Sequence, residues 1–370
     1  MKVDFNTSAL ADVLGLLTSI IPSRTPKPIL RCTKITADET KNDVRLCATD
    51  LEVGINYKVS QVKIEQGGEA VVEAEKFGAI VRESSDEVLR LETQEGSCKI
   101  TGADSEFTIY SQKPEHYPSI PDFTGKPDTE VSLGTLQRGI EQSLFATAKE
   151  SSRYAINGVL WEIKGKKLLL VATDGRRLAQ TRVNLSSAPD QSVSARNIIV
   201  PAKTMSLLGK IGSQDGETVS VKFVDNQMLI RCADVVISSN LVEGKFPKYE
   251  DIIPTDYEKK LKLSKELVLS AVRRAALLTS QESRGIKLSV NKDRLIFSGR
   301  APEAGDARVD MAIDYKGEPI DIGFNPQFLI DALRVMDKAD FQMELGEPDR
   351  PGVLKAGTDF LYVLMPISLA

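Results

Sequence analysis

Residues 44–59 read VRLCATDLEVGINYKV, and residues 168–183 read LLLVATDGRRLAQTRV. The tripeptide Ala-Thr-Asp stands at 48–50 in the first stretch and 124 residues later, at 172–174, in the second. Each stretch is an apolar run, a polar turn and an alternating run, which is the pattern of a β-hairpin. The recurrence indicates a tandem repeat with a long period.

Other segments recur in the same register. A weaker third copy of the hairpin begins at Arg294, and Ser298-Gly299-Arg300 is predicted to form its turn. A second hairpin-like segment follows in each repeat, and the three copies align on Asp104, Asp234 and Asp359. Amphipathic helices with Asn or Ser at the cap position are predicted over 6–21, 132–148 and 264–280. Second helices are predicted to begin near Ala74, Pro201 and Asn325.

The 370 residues are therefore predicted to form three similar α+β domains, at 1–126, 127–254 and 255–370. Each unit carries two helices and two sets of strands, which suggests a doubled half-unit of β-α-β-β-β type. The units are too long for a solenoid repeat. The stretches HYPSIPDF from His116 and KFPKYEDIIP from Lys245 have few periodic apolar positions, and we interpret them as exposed linkers.

Composition excludes several classes of function. Lys and Arg number 48 against 52 Asp and Glu, and the net charge of −4 argues against a partner held by bulk electrostatics. His116 is the single histidine, and the chain has no phosphate-binding glycine loop, CxxC or HExxH motif, so we expect no catalytic residues, no metal and no cofactor. The sequence shows neither a membrane-spanning run nor a signal-peptide pattern, which predicts a cytoplasmic protein. We expect the four cysteines (Cys32, Cys47, Cys98 and Cys232) to be reduced core residues.

A tandem repeat without a catalytic constellation is typical of a protein that forms a surface rather than performs a reaction. Three equal domains joined by short linkers form a curved array. If that array spans half a turn, two chains close a ring of six domains. The contacts would then be head-to-tail, between the first domain of one chain and the third domain of the other.

The chain resembles the bacterial DNA polymerase III beta subunits, the sliding clamps of replication, over essentially its whole length. The motifs that carry the resemblance are SRTPKPIL (23–30), SSRYAINGVLWE (151–162), ATDGRRLA (172–179), GKFPKYEDIIP (244–254), SRGIKL (283–288) and YVLMPISL (362–369). The resemblance implies a ring-shaped homodimer with helices lining the hole and antiparallel sheets outside. Encirclement would let an acidic protein hold double-stranded DNA without sequence preference and still slide.

The resemblance also implies partners and sites. A hydrophobic cleft on each chain would bind short linear motifs of the alpha-type subunit of the replicative polymerase, the clamp loader, repair polymerases and ligase. The residues that match this cleft are Ile156, Thr173, Gly175, Arg176, Arg177, Leu178, Pro247, Ile252, Val363, Leu364, Met365, Pro366 and Ile367. Asp251 and Ser368 stand where some relatives have a basic residue, which would alter motif preference. A plainer interpretation is that many of these residues form a hairpin and a core strand.

Two further sets of residues are candidates for DNA and dimer contacts. Long cations on or beside the predicted helices, with one aromatic residue, would face DNA phosphates: Arg24, Lys76, Arg82, Lys149, Tyr154, Lys203, Lys210, Arg273, Arg274, Arg284 and Lys338. These cations could equally be ordinary solvated helix charges, because acidic residues lie among them. The dimer contact is predicted to pair Phe107 and Ile109 with Leu277 and Leu278, unless these residues belong to the domain cores.

Two alternative functions remain open at this point. The first is an adaptor that recruits peptides without encircling DNA, which would behave identically on circular and linear DNA. The second is a carboxylate-dependent hydrolase that uses Asp50 or Asp174 with a neighbouring threonine or Arg177. The recurrence of the aspartates at a turn is better explained by turn chemistry than by catalysis.

Overall fold

The structure is a computed structural model that describes residues 1–149, 155–189, 193, 198–212, 216–279 and 285–368. In this part of the chain the helices are α1 (Thr7–Thr18), α2 (Ala74–Glu83), α3 (Leu133–Leu144), α4 (Ala202–Gly209), α5 (Lys265–Ala276) and α6 (Pro326–Val335). The strands of the first repeat are β1 (Lys2–Asn6), β2 (Cys32–Asp38), β3 (Asp43–Thr49), β4 (Val53–Val59), β5 (Val62–Gln66), β6 (Gly68–Glu73), β7 (Val88–Gln94), β8 (Ser97–Thr101) and β9 (Glu106–Gln112).

The strands of the second and third repeats follow the same order. Those of the second are β10 (Thr129–Ser132), β11 (Gly158–Lys164), β12 (Lys167–Thr173), β13 (Arg177–Asn184), β14 (Ile198–Pro201), β15 (Thr218–Val224), β16 (Gln227–Cys232) and β17 (Val235–Asn240). Those of the third are β18 (Lys259–Ser264), β19 (Ile286–Asn291), β20 (Arg294–Ala301), β21 (Gly305–Ala312), β22 (Ile320–Phe324), β23 (Asp340–Leu345), β24 (Gly352–Ala356) and β25 (Phe360–Leu364). The described residues thus repeat β-α-β-β-β along the chain, with β5 as an addition in the first repeat.

The chain divides into two compact units. Unit 1 contains Met1–Gly134, Leu185–Val193 and Lys203–Leu241, and unit 2 contains Thr135–Asn184, Ser194–Ala202 and Val242–Ala370. The division falls inside residues 127–254, because each half of that repeat joins the sheet of a neighbouring repeat. The domain boundaries given above remain a prediction.

Unit 1 is built on one antiparallel sheet. Its 13 strands lie in the order β10-β15-β16-β17-β4-β3-β2-β6-β9-β8-β7-β1-β5. β17 of the second repeat pairs with β4 of the first, with Ile237 opposite Ile55. Helices α1 and α2 pack against each other on this sheet, and Leu10, Leu14, Leu17, Phe77 and Val81 are buried there.

Unit 2 contains two antiparallel sheets. The larger has eight strands in the order β14-β11-β12-β13-β25-β24-β23-β18, and the smaller has four in the order β21-β20-β19-β22. β13 of the second repeat pairs with β25 of the third, with Leu178 opposite Val363. In both units a sheet therefore continues from one repeat into the next. The joining strands are equivalent, since β4 and β13 hold one position of the repeat and β17 and β25 hold another.

The Ala-Thr-Asp hairpins are confirmed, and their turns have the same hydrogen bonds. Asp50 Oδ1 accepts from the amides of Glu52 (3.0 Å) and Val53 (2.7 Å) in the β3–β4 turn. Asp174 Oδ1 accepts from the amides of Arg176 (2.9 Å) and Arg177 (3.1 Å) in the β12–β13 turn. Both carboxylates are engaged in turn formation, which explains why the tripeptide recurs and removes the main support for a hydrolase.

The third turn and the linkers differ from the sequence expectation. Ser298, Gly299 and Arg300 lie inside β20, and the turn that follows is at 302–304. Gly299 is required in the strand because a Cβ there would meet the carbonyl oxygen of Ala275 at 2.3 Å, at the end of α5. The two proline-aromatic stretches are not simply exposed, since Tyr117 and Tyr249 are 8% and 4% exposed. A large aromatic ring anchors each stretch although the apolar residues around it lack periodicity.

Two other sequence predictions are refined. Asn6 caps α1 by accepting from the Ala9 amide at 3.0 Å, whereas the Ser264 side chain makes no capping bond to α5. All four cysteines are free thiols, of which Cys32, Cys98 and Cys232 are buried and Cys47 is half-buried. No described helix is long and apolar enough to cross a membrane.

Candidate functional site

The predicted cleft residues lie on two opposite faces of the eight-stranded sheet. Directly paired residues share a face, so Thr173, Leu178 and Val363 point to one side. Arg177 and Leu364 are the next residues along their strands and point to the other side, towards α3 and α6. The sequence motif therefore contributes side chains to two different environments.

The first face carries a hydrophobic cluster with an accessible rim, which we call the cleft cluster. Its buried members are Ala155, Leu160, Val171, Leu178, Ile199, Tyr249 and Val363. The partly buried side chains packed against it are Leu169, Val242, Phe246, Ile253 and Leu361. Apolar walls that remain partly open to solvent are what a peptide-binding groove needs.

The remaining predicted cleft residues border this cluster or the chain end beside it. Ile252 and Met365 are 41% and 38% exposed, and the Met365 amide donates to the Arg176 carbonyl at 3.0 Å. Pro247 is half-buried, and Ile156 is buried next to Ala155 in the chain. Pro366 and Ile367 line a cavity of about 450 Å³ together with Ile322 and Gly323. Gly175 has φ of +85° in the turn, a conformation that favours glycine.

Tyr249 fixes the linker over the cluster. Its hydroxyl donates to Glu162 Oε2 at 2.7 Å, and its ring packs edge-on against Phe246. Burial, reinforced by the neighbouring Glu162 carboxylate, holds the pKa of Tyr249 well above its ordinary value. The neutral tyrosine therefore persists as a donor, and the proline-aromatic segment forms one wall of the cleft.

Arg177 is buried on the opposite face and does not line the cleft. Its side chain is 11% exposed, and its guanidinium pairs with Asp174 at 3.0 Å and Asp331 at 2.7 Å. It also donates to the Phe145 carbonyl at 2.8 Å and lies 4.4 Å from the centre of the Phe328 ring. Its effect on the cleft is to hold the turn that carries Gly175 and Arg176.

The sequence motifs missed several members of the cluster. Leu169, Val171 and Leu361 were not predicted, although their positions share strand parity with Thr173 and Val363. Strand position is the signal that would have found them, because residues two apart share a face, whereas hydrophobicity gives none: β12 and β25 are apolar on both faces. Phe246 and Tyr249 stand beside the predicted Pro247, in a segment whose packing no periodicity reveals.

The candidate DNA-facing cations are mostly exposed. Arg24 follows α1, Lys76 and Arg82 lie on α2, Arg273 and Arg274 lie at the end of α5, and Lys149, Lys210 and Lys338 follow α3, α4 and α6. Lys76 forms an exposed ion pair with Glu73 at 3.0 Å. Tyr154 and Arg284 lie outside the described residues. Exposed Arg138 on α3 and Arg334 on α6 were missed, although the buried helix positions around them place both on the outward face.

Lys203 differs from the other cations of the set. Its ammonium pairs with the Asp50 carboxylate and donates to the Ile20 carbonyl at 2.6 Å. Both partners lie in unit 1, and the Lys203 side chain is only 38% exposed. This charge is already satisfied inside the protein, so the geometry does not favour Lys203 as a phosphate ligand.

The predicted dimer residues are at least partly exposed. Phe107 and Leu277 are 40% and 79% exposed, and Ile109 and Leu278 are half-buried. β9 pairs with β8 along its length but with β6 only at Ser111 and Gln112, so Phe107 and Ile109 lie on a stretch with one strand neighbour. A free strand edge with an exposed aromatic ring is typical of an interface.

No metal-binding cluster is formed by the described residues. They contain no group of three or more His, Cys, Asp or Glu side chains placed to hold a metal ion. The candidate site is therefore a partly exposed apolar cluster on one sheet of a chain built from tandem α+β repeats.

Comparison with known proteins identifies the family. Models of the N-terminal, central and C-terminal domains of the DNA polymerase III beta subunit match residues 1–121, 130–248 and 250–368. A beta sliding clamp of Staphylococcus epidermidis is 31% identical over 99% of this chain and 98% of its own, and one of Chlamydia muridarum is 27% identical over 100% and 99%. The crystal structure of a DNA polymerase sliding clamp from Bacillus subtilis superposes with a TM-score of 0.92 at 26% identity, with both chains fully covered.

The chain belongs to the DNA polymerase III beta subunit family. Its fold is the three-domain clamp fold, and its function class is that of a DNA sliding clamp, as the sequence predicted.

Proposed function

We propose that two copies of this chain form a head-to-tail ring around duplex DNA and tether DNA polymerase through the cleft cluster. Domains 1–126, 127–254 and 255–370 would place their helices around the hole and their sheets outside. The protein would act in the cytoplasm as a non-catalytic processivity factor. Its partners would be double-stranded DNA, a second copy of the chain, and short linear motifs of the replicative polymerase, the clamp loader, repair polymerases and ligase.

The observation that carries the tethering role is the accessible apolar rim of the cleft cluster. Phe246 and Leu361 present partly buried apolar surface beside a floor formed by Leu178 and Val363. Ile252 and Met365, close in the chain to the cluster members Ile253 and Val363, are 41% and 38% exposed. A short apolar motif could bury two side chains there and add backbone hydrogen bonds. Linear motifs are usually recognised in this way, with a few buried side chains supplying most of the binding energy. The methionine side chain can adapt to several motifs.

Encirclement is supported by the weak overall electrostatics. A chain with net charge −4 offers little bulk attraction to DNA, so Arg82, Arg273 and the other exposed helix cations would supply only local phosphate contacts. A closed ring would retain DNA topologically, with those cations only guiding the duplex.

The tethering role is tested by removing the exposed apolar groups without touching the floor. Met365→Ser and Ile252→Ser should each weaken binding of the replicative polymerase by about tenfold, because each removes a contact that only the complex desolvates. Val224→Ser is the matched control, since Val224 is 39% exposed on the β15–β16 hairpin of unit 1. Surface plasmon resonance with the intact polymerase subunit measures the effect. If Met365→Ser and Ile252→Ser bound the polymerase as tightly as Val224→Ser does, the assignment of the cleft would be contradicted.

Encirclement is tested by topology. The protein is loaded by its clamp loader onto nicked circular DNA, and its retention is followed by gel filtration before and after linearisation. Loss upon linearisation supports the ring. Identical retention on circular and linear DNA would instead indicate an adaptor that recruits peptides without encircling DNA.

A further inference from the structure

The two places where a sheet passes from one repeat to the next each carry a cation that is paired within the protein. In unit 1, the ammonium of Lys203 contacts the carboxylate of Asp50 and the carbonyl of Ile20. In unit 2, the guanidinium of Arg177 contacts the carboxylate of Asp174 and the carbonyl of Phe145. Asp50 and Asp174 are the same position of the repeat, since both end the Ala-Thr-Asp tripeptide.

The carbonyl partners lie near the same point of the repeat but differ by one position, because the amides of Ile20 and Ala146 make the same hydrogen bond, to the carbonyls of Leu17 and Ser143. Ile20 stands two residues after the end of α1, and Phe145 stands one residue after the end of α3. These helices are the first helices of their repeats, and the carbonyl groups at a helix end carry the partial negative charge of the helix dipole. In each unit, then, the cation pairs with a turn aspartate and donates to a carbonyl that lies just beyond the last residue of the first helix.

The cations come from different parts of the repeat. Lys203 is the second residue of α4, the second helix of the following repeat. Its counterpart in α6, counted from Pro201 and Pro326, is Phe328, on whose ring Arg177 stacks at 4.4 Å. Arg177 comes from the turn itself and reaches Asp331 on α6 at 2.7 Å. The counterpart of Arg177 in the first repeat is Val53, which carries no charge.

We propose that Lys203 and Arg177 are positioning residues that fix each repeat to the next by tying the turn aspartate, the end of the first helix and the second helix of the following repeat into one cluster. In unit 1 the positive charge comes from the second helix of the following repeat, as Lys203. In unit 2 it comes from the turn itself, as Arg177. Conformational precision, rather than a direct contact with DNA or peptide, is the function of both side chains.

This inference rests on the proposed ring, because a ring closes only when successive domains keep a fixed angle. A looser angle would not remove any contact at the subunit interface. It would raise the conformational entropy lost when two chains close, and the dimer would dissociate more readily. Lys203 is therefore reassigned from the DNA-facing set to the junction between the first two repeats.

The test compares Lys203→Met with Asp50→Asn, Lys203→Arg and a control pair. Lys41 and Asp38 form an exposed ion pair at 3.1 Å in the same unit, so Lys41→Met is the matched control. Sedimentation equilibrium should show the dimer dissociation constant rising about tenfold for Lys203→Met and Asp50→Asn and less than twofold for Lys41→Met. The variant that carries both Lys203→Met and Asp50→Asn should dimerise no more weakly than either single variant. Lys203→Arg, which keeps the positive charge, should dimerise like the wild type.

A direct measurement of orientation separates this inference from the ring itself. Nitroxide labels at residues 88 and 224, both exposed and both in unit 1, report the distance across the junction by pulsed electron resonance in a Cys47→Ser background, with labelled chains diluted in unlabelled ones. Lys203→Met should broaden the distance distribution, and Lys203→Arg should restore it. An unchanged distribution would overturn the inference whether or not the wild-type protein is a dimer. A monomeric wild type with a broadened variant would instead contradict only the ring.

Discussion

At the residue scale, the β3–β4 and β12–β13 turns differ in the residue that follows the aspartate. Leu51 has φ of +79° and Gly175 has φ of +85°, so the repeated turn demands the left-handed conformation at this position. Glycine adopts it freely, whereas a leucine Cβ is crowded by its own backbone. Leu51 is also 48% exposed, so little packing compensates the strain. The first turn therefore stores strain that the second does not.

Replacing the strained leucine should stabilise the protein. Leu51→Gly is expected to raise the free energy of unfolding by up to about 1 kcal/mol, since relief of the left-handed strain exceeds the entropy gained by the unfolded chain. Urea denaturation followed by circular dichroism measures the change. Leu51→Ala keeps a Cβ and serves as the control, with no stabilisation expected. A destabilised glycine variant would show that the leucine side chain makes a contact that matters.

The buried thiols predict alkaline instability. Burial raises the pKa of Cys32, Cys47 and Cys232 to about 11 from an ordinary value near 9.0. Above pH 9 the unfolded chain loses thiol protons that the folded chain keeps, so the free energy of unfolding must fall as pH rises from 9 towards 11. Urea midpoints at pH 7.5, 9, 10 and 11 under reducing conditions measure this fall. Cys32→Ala with Cys232→Ala should make the fall shallower, and a midpoint that stays constant across this range would contradict the prediction.

At the scale of single elements, the caps of α1 and α5 form a natural comparison. Asn6 accepts a hydrogen bond from the Ala9 amide, whereas the Ser264 side chain makes no such bond although both residues precede a helix of 12 residues. Asn6→Ala should therefore cost about 1 kcal/mol of unfolding free energy, and Ser264→Ala should cost only a few tenths. Thermal unfolding of the two variants compares them directly. Equal losses would mean that Ser264 caps α5 in solution.

The hairpins were predictable from the sequence because their determinants are local. Asp50 and Asp174 form turn hydrogen bonds within three residues, and the flanking alternation reports the strands. The position of Gly299 was not predictable in this way. Its neighbour is the carbonyl of Ala275 at the end of α5, a contact between segments that are distant in the chain. From the local sequence, Gly299 is interpreted as a turn residue. Only the packed structure shows that its missing side chain lets the Ala275 carbonyl approach the strand.

The two faces of the cleft motif show a second limit of sequence reasoning. The ATDGRRLA stretch places Leu178 in the cleft cluster and Arg177 in a buried charge cluster on the opposite face. Strand parity separates the two once β13 is assigned, but the motif alone groups them as one site. The position of Phe246 against the cluster depends on the path of a linker that has no hydrophobic periodicity. Hydrophobic patterning therefore could not predict it.

At the scale of the whole molecule, the clusters beneath the two linkers differ between the units. Unit 1 has a smaller one, formed by Cys32, Val71 and Tyr117 with Ile29, Cys47 and Ile120 packed against it. The counterpart of Leu178 in the first repeat is Gly54, and a Cβ there would lie 2.6 Å from Ile120 of the first linker. The linker thus closes directly on the strand where unit 2 has a leucine below an open rim. The counterpart of Leu169 is Arg45, which pairs with Asp43 at 3.0 Å and Asp122 at 3.4 Å. An ion pair of Arg45 and Asp122, with both side chains about half exposed, thus stands where unit 2 has a leucine of the cleft cluster.

The proposed subunit contact is also a property of the whole molecule. Leu278→Ala should weaken the dimer by about tenfold while the monomer stays folded, because a partly exposed leucine becomes fully desolvated only in an interface. Leu267→Ala is the control, since Leu267 is 61% exposed on helix α5, eleven residues before Leu278, which follows the end of that helix. Light scattering on a sizing column, at micromolar and then tens-of-nanomolar protein, should show the wild type at twice the chain mass of 40.5 kDa. A Leu278→Ala chain that unfolds would place the residue in the domain core, whereas one that stays as tight a dimer as Leu267→Ala would move the interface elsewhere.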